Sequence, residues 1–121
     1  MQRLGFAEQW TEMIMECVSS VSYNVRFNLE STEVFEPTRG LRQGDPLSPY
    51  LFLLCAEALS TMLQAEENNG TLVGVKVCRE APQISHLLFA DDSLILMRAD
   101  GQNAACLRRV LDEYCTSSGQ L

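Results

Sequence analysis

This chain is short of histidine, of basic residues and of long apolar runs, and each shortage narrows what it can do. Its single histidine, His86, has no cysteine or second histidine at ligand spacing, which argues against a zinc centre and predicts a strand residue with a local hydrogen bond. No CxxC pair occurs among Cys17, Cys55, Cys78, Cys106 and Cys115. Their odd number in apolar surroundings predicts buried, reduced thiols and a reducing compartment. Nine Lys and Arg stand against sixteen Asp and Glu, a formal net charge of -7, so the chain lacks the electrostatic footprint of an autonomous nucleic-acid binder. The longest wholly apolar run, Tyr50 to Ala56, falls far short of the roughly 20 residues that span a bilayer. The first twenty residues hold Arg3 as their only basic residue beside Glu8, Glu12 and Glu16, which suits neither a secretory signal nor a transit peptide. With no targeting signal visible, the compartment stays open: nuclear or cytoplasmic, or organellar if the chain is encoded there. There is no internal repeat, low-complexity linker or domain boundary.

What remains suits one globular domain over residues 1–121, with 46% hydrophobic residues and enough length to bury a core. Phe6, Trp10, Met13, Ile14, Cys17, Val18 and Val21 recur at three- and four-residue spacing, which predicts an amphipathic helix over 7–21 with Glu8, Glu12 and Glu16 on a solvated face. Tyr23, Val25, Phe27 and Leu29 alternate with polar residues, predicting a half-buried strand over 22–29. Glu30, Ser31 and Thr32 would turn it into a second strand at 33–36, ended by Pro37. Leu51, Phe52, Leu54, Cys55, Ala58, Leu59, Met62 and Leu63 predict a broadly apolar, central helix running to about Glu66, its aromatic and methionine positions in the core. Val73, Val75 and Val77 suggest a short strand with Gly74 inside it. Asp100 is a candidate cap for a last helix with Leu107, Val110, Leu111 and Tyr114 on one stripe and Gly119 as its stop. The element pattern is α+β, a small antiparallel sheet with helices on one face.

Two stretches carry chemistry. In ISHLLFADDSLILM, Ile84 to Met97, apolar runs flank two adjacent carboxylates, as in two short strands joined by a tight turn. Asp91, Asp92 and Ser93 can simply reverse the chain, because Asp side chains bond nearby backbone and tolerate unusual dihedrals. Alternatively, two hard oxygen ligands on a rigid turn suit Mg²⁺. The second stretch, TRGLRQGDPLSP from Thr38 to Pro49, combines two glycines, two prolines, two arginines and an amide. Gly40 and Gly44 allow positive φ or close backbone approach, and Arg39, Arg42 and Gln43 offer donors to phosphates or base edges. The competing reading is a plain turn followed by a helix start near Pro46 or Pro49, with Asp45 or Ser48 as cap.

With GLRQGDPLSPYLF at 40–52 and FADDSLIL at 89–96, in that order, the chain resembles a reverse transcriptase of the non-LTR, LINE-type retrotransposons common in plants. The likeness extends to LGF at 4–6 and to the segment around 22–29. It implies a partial polymerase palm with adjoining finger elements. It also implies Mg²⁺ as cofactor, with Asp91 as principal ligand and Asp92 as weaker partner in nucleotidyl transfer. By the same resemblance, Arg39, Gly40, Arg42, Gln43, Gly44, Pro46 and Ser48 would lie beside template and nucleotide, and Phe89 and Ala90 near the primer end. The implied partners are an RNA template, a DNA primer and deoxynucleotides. One departure weighs against activity: the family's other catalytic carboxylate lies on a strand upstream of the LGF segment, and Met1 stands only three residues before Leu4. The expectation is therefore a truncated fragment, inactive alone, that self-associates through an unpaired sheet edge. The alternative is the product of a degenerate retroelement reading frame with no catalytic role.

Overall fold

Local chemistry accounts for most element boundaries in the structure, a computed structural model that describes Met1, residues 4–38 and residues 40–119. These residues form three helices and two separate two-stranded antiparallel sheets, so the chain is α+β. They divide into two compact units, Met1–Arg42 and Gln43–Leu121.

In the first unit, helix α1 runs Glu8–Ser19 with Phe6 stacked on Trp10, ring centroids 4.7 Å apart. The predicted stripe is mostly uncovered: within α1 Ile14 alone is buried, while Trp10 and Met13 are exposed. The hairpin that follows turns earlier than its alternation suggests. Strands β1 (Arg26–Phe27) and β2 (Glu30–Ser31) pair Arg26 with Ser31 and Phe27 with Glu30, so Asn28 and Leu29 form the loop. Both have positive φ, 49° and 68°, the backbone of a two-residue loop whose twist matches its strands. Leu29 is thus a turn residue, not the end of a strand, and Val25 and Phe27 are exposed, not half-buried. A bridge between Tyr23 and Phe35 closes the hairpin's base.

The second unit holds a core. Helix α2 (Ser48–Asn68) and helix α3 (Gly101–Ser118) bury Leu59, Leu63, Cys106, Val110 and Tyr114 with Leu72, and Ile95 and Met97 pack against them. Helix α3 starts and stops where expected. The Asp100 side chain accepts from the Asn103 backbone N–H, and Gly119 takes the left-handed conformation at the C-terminus. That hydrogen bond, with those from the Asn103 side chain and Arg98, holds the Asp100 carboxyl well below its usual range. Glu66, near the end of α2, accepts from the Thr71 hydroxyl and pairs with Arg109 of α3 at 2.7 Å. These partners, with the Cys106 thiol, lower its pKa to about 2. Burial pushes the Tyr114 hydroxyl up.

Strands β3 (His86–Phe89) and β4 (Asp92–Ile95) form the second sheet. The expected strand at Val73–Val77 shrinks to a single bridge between Val75 and Ile84. Gly74 is what lets the chains approach there, since a Cβ on it would run into the Ile84 carbonyl. The cysteines depart from expectation. All five are free thiols, but only Cys106 is buried, Cys115 is partly covered, and Cys17, Cys55 and Cys78 are exposed. Period-3.6 patterning places residues on a helix face without saying whether anything covers that face.

Candidate metal and nucleotide site

The hairpin at 86–95 is built by its apolar residues. Register pairs His86 with Ile95, Leu87 with Leu94, Leu88 with Ser93 and Phe89 with Asp92. Since side chains alternate along a strand, His86, Leu88 and Ile95 share the inner face, while Leu87, Phe89, Asp92 and Leu94 share the outer one. The outer face is open, with Phe89 82% exposed. The reversal is made by Ala90 and Asp91, so Asp92 belongs to the strand and not to the turn.

Ala90 has φ of 51° and Asp91 does not share this positive sign, the pattern of a two-residue turn with a left-handed first position. Glycine is usual there. A left-handed backbone costs an alanine about 1–2 kcal/mol. Strain of this kind is held only where the surrounding structure enforces it.

Helix α2 supplies the other wall. Gly44 has φ of 82°, as a glycine-dependent turn requires, and the Asp45 carboxylate accepts the Leu47 N–H at 2.8 Å. The N-cap is therefore Leu47, with no side-chain cap; neither Asp45 nor Ser48 occupies that position, and Asp45 instead holds the turn before it. Pro49 follows in the helix's first turn, where its missing N–H costs nothing. Pro49, Phe52, Leu53 and Ala56 of α2 face Leu88, Ala90 and Asp91 across an open cleft of about 560 Å³. Asp91 is the only ionisable residue of that lining.

The sequence-derived candidates are thus divided. Ala90 and Asp91 come together in the cleft, and Phe89 and Asp92 flank the turn on its outer face. Gln43, Gly44 and Pro46 lie in the approach to α2, and Ser48 is its first residue. Gly40 and Arg42 belong to the other compact unit, and Arg39 lies outside the described residues. Pro49, Phe52, Leu53, Ala56 and Leu88 are not anticipated as a lining, because the sequence reads α2 as broadly apolar and places its aromatic position, Phe52, in the core. Phe52 and Leu53 are exposed.

Among the described residues no group of three or more His, Cys, Asp or Glu could hold a metal ion. The donor set at the tip is two adjacent, exposed carboxylates. Both are hard oxygen donors of the kind Mg²⁺ takes, and two are too few for a pair of ions held by this chain alone. Also among the described residues, no helix is long and apolar enough to cross a membrane.

Comparison with known proteins gives this geometry a context. The profile of the family described as reverse transcriptase (RNA-dependent DNA polymerase) matches residues 1–119. An uncharacterized mitochondrial protein of Arabidopsis thaliana is 58% identical over 57 residues, covering 47% of each chain. A retrovirus-related Pol polyprotein from a type-1 retrotransposable element R2 of Popillia japonica is 30% identical over 100 residues, which cover 83% of this chain and 16% of that one. The corresponding R2 polyprotein of Nasonia vitripennis is 42% identical over 74 residues, 61% of this chain and 6% of its own length. The chain therefore spans about half the length of the first relative and a sixth or less of the polyproteins. No solved structure matches it.

Proposed function

Because this chain belongs to the reverse transcriptase family, the RNA-dependent DNA polymerases, we propose that its β3–β4 tip is the metal-holding part of a nucleotidyl-transfer site of the plant, LINE-type, non-LTR kind. The observation that carries this is the strained two-residue turn: Ala90 at positive φ presents Asp91 into a cleft against the start of α2. Asp91 is the principal ligand and Asp92 the weaker one. A bound Mg²⁺ would supply charge neutralisation and polarisation at a phosphoryl group under attack. This chain's own residues hold and orient. Gly44 and the prolines shape the approach to α2, and Gln43 offers an amide to template or nucleotide. The exposed Phe89 ring and Ala90 backbone meet the primer end.

Two carboxylates are too few for a metal pair, so the 121-residue chain by itself incorporates no nucleotide. A primer-extension assay on purified chain tests this; incorporation that disappears in Asp91→Asn would overturn it. Divalent ions bind weakly, in the millimolar range, because Mg²⁺ keeps most of its waters in so small a donor set. An NMR titration should shift Asp91 and Asp92 first, and micromolar binding would mean that another ligand takes part.

A second reading, a retroelement product acting at most through protein contacts, is favoured by the open outer face of the hairpin. Leu87, Phe89 and Leu94 are exposed side by side on a two-stranded sheet, the kind of surface that recruits other chains. Sizing over a range of concentrations should detect self-association, and Leu87→Lys with Leu94→Lys should disperse it. A monomer at every concentration would remove this reading.

A further inference from the structure

A chain of hydrogen bonds crosses from α2 to β3 at the end of the hairpin opposite the turn. The Ser85 hydroxyl, in a buried residue, donates to Glu67 at 2.8 Å, and Ser85 Oγ lies 2.9 Å from His86 Nδ1. On the ring's other side, His86 Nε2 lies 2.8 Å from Ser60 Oγ. The far end of this chain sets the proton order. A carboxylate can only accept, so Ser85 commits its one proton to Glu67 and its oxygen must accept from His86 Nδ1–H. With Nδ1 as the donor of a neutral ring, Nε2 is the acceptor and the Ser60 hydroxyl donates to it. Bonded at both ring nitrogens, His86 has a fixed ring plane, and it joins β3 directly to the middle of α2.

The spacing connects this clamp to the cleft. From His86 to Phe89 is three residue steps of extended chain, about 10 Å at roughly 3.3 Å per residue, after which Ala90 and Asp91 turn. From Ser60 back to Leu53 is seven helical residues, also about 10 Å at roughly 1.5 Å per residue. Ser60 is bonded to His86 at the start of β3, while residues earlier on α2, Pro49 to Ala56, share the cleft with residues later on the hairpin, Leu88 to Asp91, so the two elements run in opposite directions. A slip of β3 along α2 would carry Asp91 away from the wall it faces, and the Ser60–His86 bond is the directional contact that resists such a slip.

We infer that His86 is a positioning residue: through Ser60, Ser85 and Glu67 it fixes the register of β3 on α2 and so holds Asp91 against the first turns of that helix. This rests on Asp91 as a metal ligand, and the test separates the two claims. Mn²⁺ alone is added to the full chain and the paramagnetic broadening of backbone amides is read by NMR. In the wild type, the amides of Ala90 and Asp92 should broaden, and so should those of Phe52 and Leu53 across the cleft. In His86→Leu the turn amides should still broaden while the effect on Phe52 and Leu53 is lost. His86→Gln, whose amide carries one donor and one acceptor side, should restore it. Ser60→Ala removes only the α2 end of the clamp and should also lose the cross-cleft effect, so the test survives if His86→Leu does not fold. Equal cross-cleft broadening in wild type, His86→Leu and Ser60→Ala, or its absence from the wild type, would overturn the positioning role. No broadening at Ala90 and Asp92 in the wild type would instead overturn Asp91 as a ligand.

Discussion

The two compact units use the same kinds of sequence to opposite effect. In Gln43–Leu121, apolar stripes on α2 and α3 meet each other and bury Leu63, Leu72 and Val110 almost completely. In Met1–Arg42, an amphipathic helix and a twisted hairpin bury Ile14 alone among their large apolar side chains, and Phe27 stands 74% exposed. Amphipathicity supplies a face for burial, but stability comes only when a second element covers it. The second unit brings its own cover; the first has the faces without it.

The contrast can be broken most directly in the core. Leu63→Ala, at a site with no solvent exposure, should lower stability by about 3 kcal/mol, whereas Phe27→Ala should change it by less than about 0.5 kcal/mol. Chemical denaturation read by far-UV circular dichroism, to which the long helices α2 and α3 contribute most, checks the first. Fluorescence of Trp10, the one tryptophan and a residue of α1, checks the second. Equal losses would mean that the first unit has a core of its own. Gly74→Ala should cost the second unit about 1–3 kcal/mol, since its new methyl group meets backbone at Ile84 and cannot displace it cheaply.

Acid sharpens the comparison without any substitution. Glu66 and Asp100 both have lowered pKa values in the fold. The stability they confer is fully present above their ordinary values. For Glu66 it is lost as pH falls from 4.5 to about 2. The circular dichroism midpoint should therefore drop through that window, and Glu66→Gln should flatten the drop. Strain relief is a small effect of opposite sign. Leu29→Gly in one unit and Ala90→Gly in the other each place glycine at a positive φ, and each should raise stability by about 1 kcal/mol or less. A loss in either variant would show that the side chain contributes more than the backbone strain removes.

Legibility followed the range of the interactions. The α3 boundaries were readable because Asp100 and Gly119 act within a few residues of themselves, and the hairpin at 86–95 because its apolar runs bracket a polar turn. The turn at Asn28–Leu29 was not, since leucine seldom takes positive φ and alternation alone assigns Leu29 to a strand. The cleft wall at Phe52 and Leu53 was hidden for a different reason: a helix apolar on most sides gives no signal for which side stays open. The His86 clamp depends on Ser60 and Glu67, far away in sequence, and only the expectation of some local hydrogen bond could be drawn from the histidine itself.

Asn103, only 1% exposed, accepts the Val73 N–H on its side-chain oxygen and donates its amide to Asp100, while the Arg98 N–H donates to the Val73 carbonyl. The Asn103 side chain thereby ties the Val73 backbone to the Asp100 cap of α3, and the Arg98–Val73 bond closes the same junction. In native-state hydrogen exchange, the amides of Val73, Arg98 and Asn103 should open as a single event with one free energy, because none can reach solvent unless the others let go.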